Sequence, residues 1–297
     1  MPPPLPRRVD VVLLATLAGV FFGALAVAVR VALRLARDPE AGAFVCALLG
    51  FLVAAAVALP LAARGVETGG LWAFALVGAF VPGLSQIVFV HAIRDAGASR
   101  TAVVIGTAPL LSAGLAVVFL DEPLRAALVF ATIAIVLGGA LLVWEPSRPP
   151  DFRAVGLVLA LVAAGVFAVR DNVVRWASLD SGADPFLAAA VSLGAATLAL
   201  LVYLATARRS DPIGPRLRAA LPAFVPAGLC LGLAYTALLL AFSRGSVTVV
   251  APLNATQSLW GVLFAAAFIG RAEAVGPRLV TASALVVAGG VLIGVTR

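Results

Sequence analysis

The chain has 297 residues, of which 63% are hydrophobic and only 12% charged, with a formal net charge of +7 and a mean hydropathy of +1.12. A soluble domain carries about a quarter charged residues to cover its surface, so a water-exposed globule is excluded. All 21 basic residues are arginine. They punctuate apolar runs and form no stripe interleaved with aromatics, which argues against a nucleic-acid surface and suits the phospholipid headgroup boundary.

A spanning helix needs about 20 mostly apolar residues, because the hydrocarbon core is about 30 Å thick. Uncharged runs at 11–29, 41–63, 71–90, 101–120, 126–144, 154–169 with a polar extension to 177, 185–207, 219–243, 245–268 and 279–296 give ten candidates. The first follows Arg7-Arg8 but is longer than a signal-peptide core, and it is read as a mature span. Outer-membrane strands would alternate in polarity, whereas these runs are unbroken. Short connectors carry turn punctuation at Asp38-Pro39, Gly69-Gly70, Glu122-Pro123, 146–150 and Asp211-Pro212. None is long enough to hold an extramembrane domain, so the chemistry must lie within or beside the bilayer.

The runs read twice. Glu122 aligns with Glu273, Gly138-Gly139 with Gly289-Gly290, and the stretch 92–97 with 241–245. Val20-Phe21-Phe22 before Arg30 resembles Val166-Phe167-Ala168 before Arg175. Five spans per half is an odd number, so the second half enters from the opposite side. The expected fold is therefore all-α and polytopic, with ten transmembrane helices as two inverted five-helix repeats, 1–146 and 147–297.

Ala92-Ile93, Ala98-Ser99, Pro109, the turn Asp121-Glu122-Pro123 and Gly138-Gly139, followed by Gly245-Ser246-Val247, Ala251-Pro252-Leu253, Glu273 and Gly289-Gly290, occur in an ordered series. With Phe22-Gly23 preceding Arg30, this series resembles the EamA-type ten-span members of the drug/metabolite transporter superfamily over nearly the whole chain. Arg271-Ala272-Glu273 departs from the family's tighter Gly-Glu turn, and Arg170-Asp171-Asn172 is more polar than its average. The resemblance implies a transporter of a small metabolite in the cell (plasma) membrane and names no substrate.

Charge inside a membrane marks function by default. Arg170, Asp171 and Asn172 follow a wholly apolar stretch, and Asp171 stands four residues before Arg175, in position to pair along one helix face. Arg170 is then left to grip a carboxylate or phosphate of the substrate, or else to snorkel to headgroups. Arg30 shares a face with Arg34 and Arg37 and has the same two readings. In the third span Gln86 aligns with Tyr235, and His91 serves as a proton relay or as a boundary residue beside Arg94 and Asp95. In the ninth, Asn254 and Gln257 share a face with Ser258, near Trp260. They line a cavity or bond between helices. Glu122 and Glu273 read as helix-end residues at the interface.

A cavity lined by Arg30, Gln86, His91, Arg170, Asp171, Asn172, Tyr235, Asn254, Gln257 and Trp260 is the candidate site. No cofactor or metal is expected, and Cys46 and Cys230 sit inside apolar runs. Without lysine there is no P-loop, so ATP coupling within this chain is excluded. Expected partners are a small molecule, an amino acid or other small anion, and membrane lipids; a homodimer stays open. An intramembrane lipid-modifying enzyme and a non-transporting scaffold are the alternatives. Orientation is open: the resemblance implies cytoplasmic termini, whereas the arginine clusters at 34–37 and 208–218 favour the reverse.

Overall fold

The computed structural model describes residues 7–62, 65, 67–119, 150–207 and 212–295, with isolated positions between 130 and 141. Most of the fifth candidate span, the Glu122 turn, the connector at 146–149 and the cluster at 208–211 lie outside the described residues. The described residues form helices and turns without strands. Among the described residues, seven helical segments are long and apolar enough to cross a membrane: Asp10–Leu35, Pro39–Pro60, Leu71–Ala96, Val155–Leu179, Pro185–Ala207, Ile213–Arg244 and Val249–Phe268. Pro277–Gly289 is apolar but shorter. The chain is a polytopic helical membrane protein.

Helices α1 (Arg7–Leu35) and α2 (Pro39–Ala62) are followed by a segment broken in the middle. It comprises α3 (Leu71–Gly78), a π-helical stretch (Ala79–Leu84) and α4 (Ser85–Ala96). Pro82 causes the break, since it lacks an N–H and its ring disfavours helical geometry in the residue before it. Val81 is accordingly extended, at φ −140° and ψ 107°. Next come α5 (Ala98–Ile105) and α6 (Ala108–Phe119), then α7 (Val155–Asp180), α8 (Pro185–Ala207) and α9 (Ile213–Arg244). The chain continues through α10 (Val247–Asn254), α11 (Gln257–Phe268), a 3₁₀ turn (Gly270–Glu273) and α12 (Pro277–Val295).

Several local devices occur twice. Asp38 Oδ1 accepts from Ala41 N at 3.0 Å at the start of α2, and Asp184 Oδ1 accepts from Phe186 N at 2.9 Å at the start of α8. Each aspartate precedes a proline in the first turn, where the missing N–H costs nothing. The pairs α5–α6 and α10–α11 each begin with 8 helical residues followed by a two-residue break. At each break a threonine hydroxyl bonds three residues back: Thr107 to the Val104 carbonyl and Thr256 to the Leu253 carbonyl, both at 2.7 Å. The backbone tightens there to i→i−3 bonds, Thr107 N to Val104 O at 3.0 Å and Thr256 N to Leu253 O at 3.2 Å. Such mid-helix tightening makes a kink.

Lipid tails give helices no hydrophobic reason to associate, so close contact depends on small residues. Gly19 and Gly23 bring α1 onto α11: a Cβ at Gly23 would meet Trp260 Cβ at 2.7 Å and Gly261 N at 2.8 Å. Gly228 and Gly232 bring α9 onto Leu49 and Val53 of α2. Gly78 lies against the Ser192 backbone, and Gly83 faces Ala196 and Ala199 of α8. Gly23→Ala is therefore expected to cost about 1–3 kcal/mol by overpacking against backbone. Gly165→Ala on α7, where a Cβ meets nothing within 4 Å, should be neutral or slightly stabilising. Thermal unfolding in detergent checks the contrast.

Candidate functional site

Two buried polar clusters join segments far apart in sequence. The first is built on Arg170 and Asp171 of α7, only 4% and 3% exposed. Arg170 Nε and Nη2 both donate to Asp171 Oδ1, at 3.0 and 2.7 Å. The guanidinium lies 4.9 Å above the Phe167 ring and 5.9 Å from that of Tyr235, where each ring's negative face favours a cation. Phe89 of α4 approaches Phe167 at 6.4 Å between centroids. Tyr235 is fully buried and its hydroxyl donates to the Val81 carbonyl at 3.1 Å. The carbonyl exposed by the Pro82 break thus finds its donor on α9. Chemically, the cluster is a neutral ion pair roofed by aromatic rings, with the Arg170 Nη1 group lacking an acceptor among the described residues.

This corrects the pairing expected from helix spacing. Asp171 is held by its neighbour Arg170, while Arg175 donates from Nη1 to the Phe242 carbonyl at 2.7 Å. Surface i, i+4 geometry applies when both side chains stay on their own helix; here a buried carbonyl on α9 draws Arg175 away.

The second cluster is centred on Arg30 and Glu273, 6% and 0% exposed. Arg30 Nε donates to Glu273 Oε1 at 2.9 Å and Arg30 Nη1 to the Arg94 carbonyl at 2.9 Å. Glu273 Oε2 accepts from Ser99 N at 3.3 Å and Ser99 Oγ at 3.1 Å, so it caps the start of α5. Arg100, fully buried, donates to the Glu273 carbonyl at 3.0 Å. Gly97 (φ +90°) makes room, for a Cβ there would sit 2.8 Å from Glu273 Oε2. Glu273 is thus no interfacial helix-end residue but the buried partner of Arg30, and Arg30 does not snorkel. The cluster ties α1, α4, α5 and the turn before α12 together.

The remaining expected residues divide. Asn172, half-buried, donates from Nδ2 to Ser112 Oγ at 2.8 Å and to the Ala168 carbonyl at 2.9 Å, linking α7 to α6. Gln86 and Asn254 are buried, and Gln86 Nε2 and Asn254 Oδ1 have no hydrogen-bond partner among the described residues. His91 is half-buried, one turn before the Arg94–Asp95 ion pair at 2.7 Å. Gln257 is half-buried, and Trp260 stacks on Phe264 at 5.7 Å instead of joining Arg170. Only Arg170, Asp171 and Tyr235 of the expected set are brought together. Phe167, Phe89, Ser99 and Arg100 carry contacts that residue type alone did not signal, although Phe167 already stood in the repeat alignment.

The fold and these clusters define a multi-pass helical membrane protein with charge buried between its helices. Residues 10–144, just under half of the chain, match the EamA-like transporter family. A solved structure named only as "Crystal structure of protein" is similar over 97% of this chain and 97% of its own, with a TM-score of 0.66 and 21% identity. At that identity the likeness concerns the fold alone. No curated protein matches the sequence.

Removing one partner of a buried ion pair leaves an uncompensated charge and costs about 3–5 kcal/mol, whereas replacing both is far milder. Arg30→Gln and Glu273→Gln are each expected to lower the detergent melting temperature sharply, and the double variant to recover part of the loss. A double-mutant cycle on the melting data checks this.

Proposed function

We propose that the chain is a secondary transporter that moves a small anionic metabolite, such as an amino acid, across the plasma membrane by alternating access. Its ten spans form two inverted five-span halves, 1–146 and 147–297. The match to EamA-like transporters over residues 10–144 supports this, since it ends close to the boundary drawn between the halves. The doubled Asp-Pro caps and threonine kinks support it as well. So does a paired contact: Arg30 lies 3.5 Å from the Ile93 carbonyl as its aligned counterpart Arg175 donates to the carbonyl of Phe242, the residue aligned with Ile93.

The observation that carries the reading is Arg170. A guanidinium deep in a spanning helix is costly unless it has work to do there. A planar fork beside Phe167 and Tyr235 suits a substrate carboxylate, which exchanges with Asp171 for the same donors. Rocking of the halves about the kinked α5–α6 and α10–α11 pairs then exposes that fork to each side in turn.

Purified protein in liposomes, screened with labelled amino acids and small carboxylates, should show saturable flux of an unchanged solute. Arg170→Gln should lower that flux at least tenfold, the loss of one charge-assisted hydrogen bond being worth about 1.5–3 kcal/mol. Arg170→Gln combined with Asp171→Asn, which removes the unpaired charge, should keep the fold yet stay inactive. Full flux in that double variant contradicts the proposal, and chemical conversion of the solute would favour an enzyme.

A further inference from the structure

Outside the Arg30–Glu273 contact the protein opens into a cleft of about 510 Å³, where the end of α1, the end of α4 and the residues before α7 meet. Its lining is strongly basic. Two of its arginines are already committed, Arg30 to Glu273 and Arg94 to Asp95, the latter through two parallel bonds of 2.7 and 3.0 Å. Three others are not. Arg34, Arg37 and Arg153 are exposed, and none has a carboxylate partner among the described residues. One exposed carboxylate, Asp151, shares the cleft with them. Among the described residues, three guanidinium groups against one carboxylate leave two positive charges uncompensated.

The arrangement is unfavourable when empty. Arg34 and Arg37 stand three residues apart at the end of α1, where like charges repel, and Arg153 is brought up from a different segment. Leu33 is the sole apolar side chain of the lining among the described residues. Guanidinium forks bind paired oxygens of phosphate or carboxylate in a bidentate way.

We propose that this cleft is a binding site for a phosphate-type dianion, held by Arg34, Arg37 and Arg153 at the outer edge of the Arg30–Glu273 contact. The shared chemistry is a doubly charged phosphate group, supplied either free in solution or on a phosphatidic acid headgroup. The site is separate from the Arg170 cluster and does not rest on the transport reading, because its test is equilibrium binding without flux.

The full-length protein in a neutral, phosphate-free detergent is dialysed against labelled inorganic phosphate. In parallel it is placed in phosphatidylcholine nanodiscs with and without phosphatidic acid, and its melting temperature is read. Saturable phosphate binding identifies the free anion as ligand; a melting shift with phosphatidic acid alone identifies the headgroup. In either arm Arg34→Gln/Arg37→Gln and Arg153→Gln should weaken the effect about tenfold or more, and Arg34→Lys/Arg37→Lys should retain most of it. All three altered arginines of the cleft are exposed, so melting in neutral detergent should stay near that of the parent chain. The proposal is overturned if neither ligand has an effect, or if the glutamine variants respond like the parent chain.

Discussion

Hydrocarbon offers no hydrogen-bond partner, so a backbone carbonyl or a charge shielded from water needs one within the protein. This constraint organises the molecule. The break at Val81-Pro82 frees a carbonyl, and Tyr235 reaches across from α9 to take it. Arg175 crosses from α7 to the Phe242 carbonyl, and Arg30 crosses from α1 to Glu273, 243 residues away. In each case a group that lipid would leave unsatisfied is met by a residue on another segment of the chain. The small residues follow from the same demand, because polar groups on separate helices meet only if the backbones approach closely.

The recurring devices give the proposed two-half architecture its physical content. A threonine hydroxyl bonded three residues back kinks both α5–α6 and α10–α11. The two pairs also touch across the molecule, Gly106 beside Ser258 and Gly261 beside Ala102. The halves are not identical, however. The segment 71–96 is interrupted at Pro82, whereas α9 runs unbroken through Pro222 and Pro226. That asymmetry sets an irregular backbone against a continuous helix, the two joined where the Tyr235 hydroxyl meets the Val81 carbonyl.

Much of this was legible in the sequence, and the rest was hidden for identifiable reasons. Hydropathy located the seven segments that are long and apolar enough to cross a membrane among the described residues, and Asp38-Pro39 marked the start of α2 because aspartate capping and proline at the first helical position are local effects. Arg30 and Arg175, aligned in the proposed repeat, each approach a carbonyl, Ile93 at 3.5 Å and Phe242 at 2.7 Å. Partner choice was not legible. Spacing along α7 favoured Asp171 with Arg175, but the competing carbonyl belongs to α9 and enters only with tertiary packing. Glu273 looked interfacial because it lies in a connector; its burial depends on Gly97, whose missing Cβ clears the space, and on Ser99, which supplies donors. Thr107 and Thr256 gave no warning of a kink, since a threonine in an apolar run more often bonds back without breaking the helix.

The central claim is that the interrupted third segment is sheltered by the second half of the chain. Gly83 and Ala199 offer a direct probe, because a Cβ built on Gly83 lies 3.6 Å from that of Ala199, within the range of about 3.5–4.5 Å for a disulfide; that Cβ also comes 2.9 Å from the Gly78 carbonyl oxygen, so the Gly83→Cys single variant must first be shown to melt like its parent. In a background with Cys46 and Cys230 replaced by alanine, Gly83→Cys/Ala199→Cys should form an intramolecular disulfide in native membranes under mild oxidation, while the single variants should not. If the pair stays reduced in correctly inserted protein, the irregular backbone at Pro82 is not packed against α8, and the account fails.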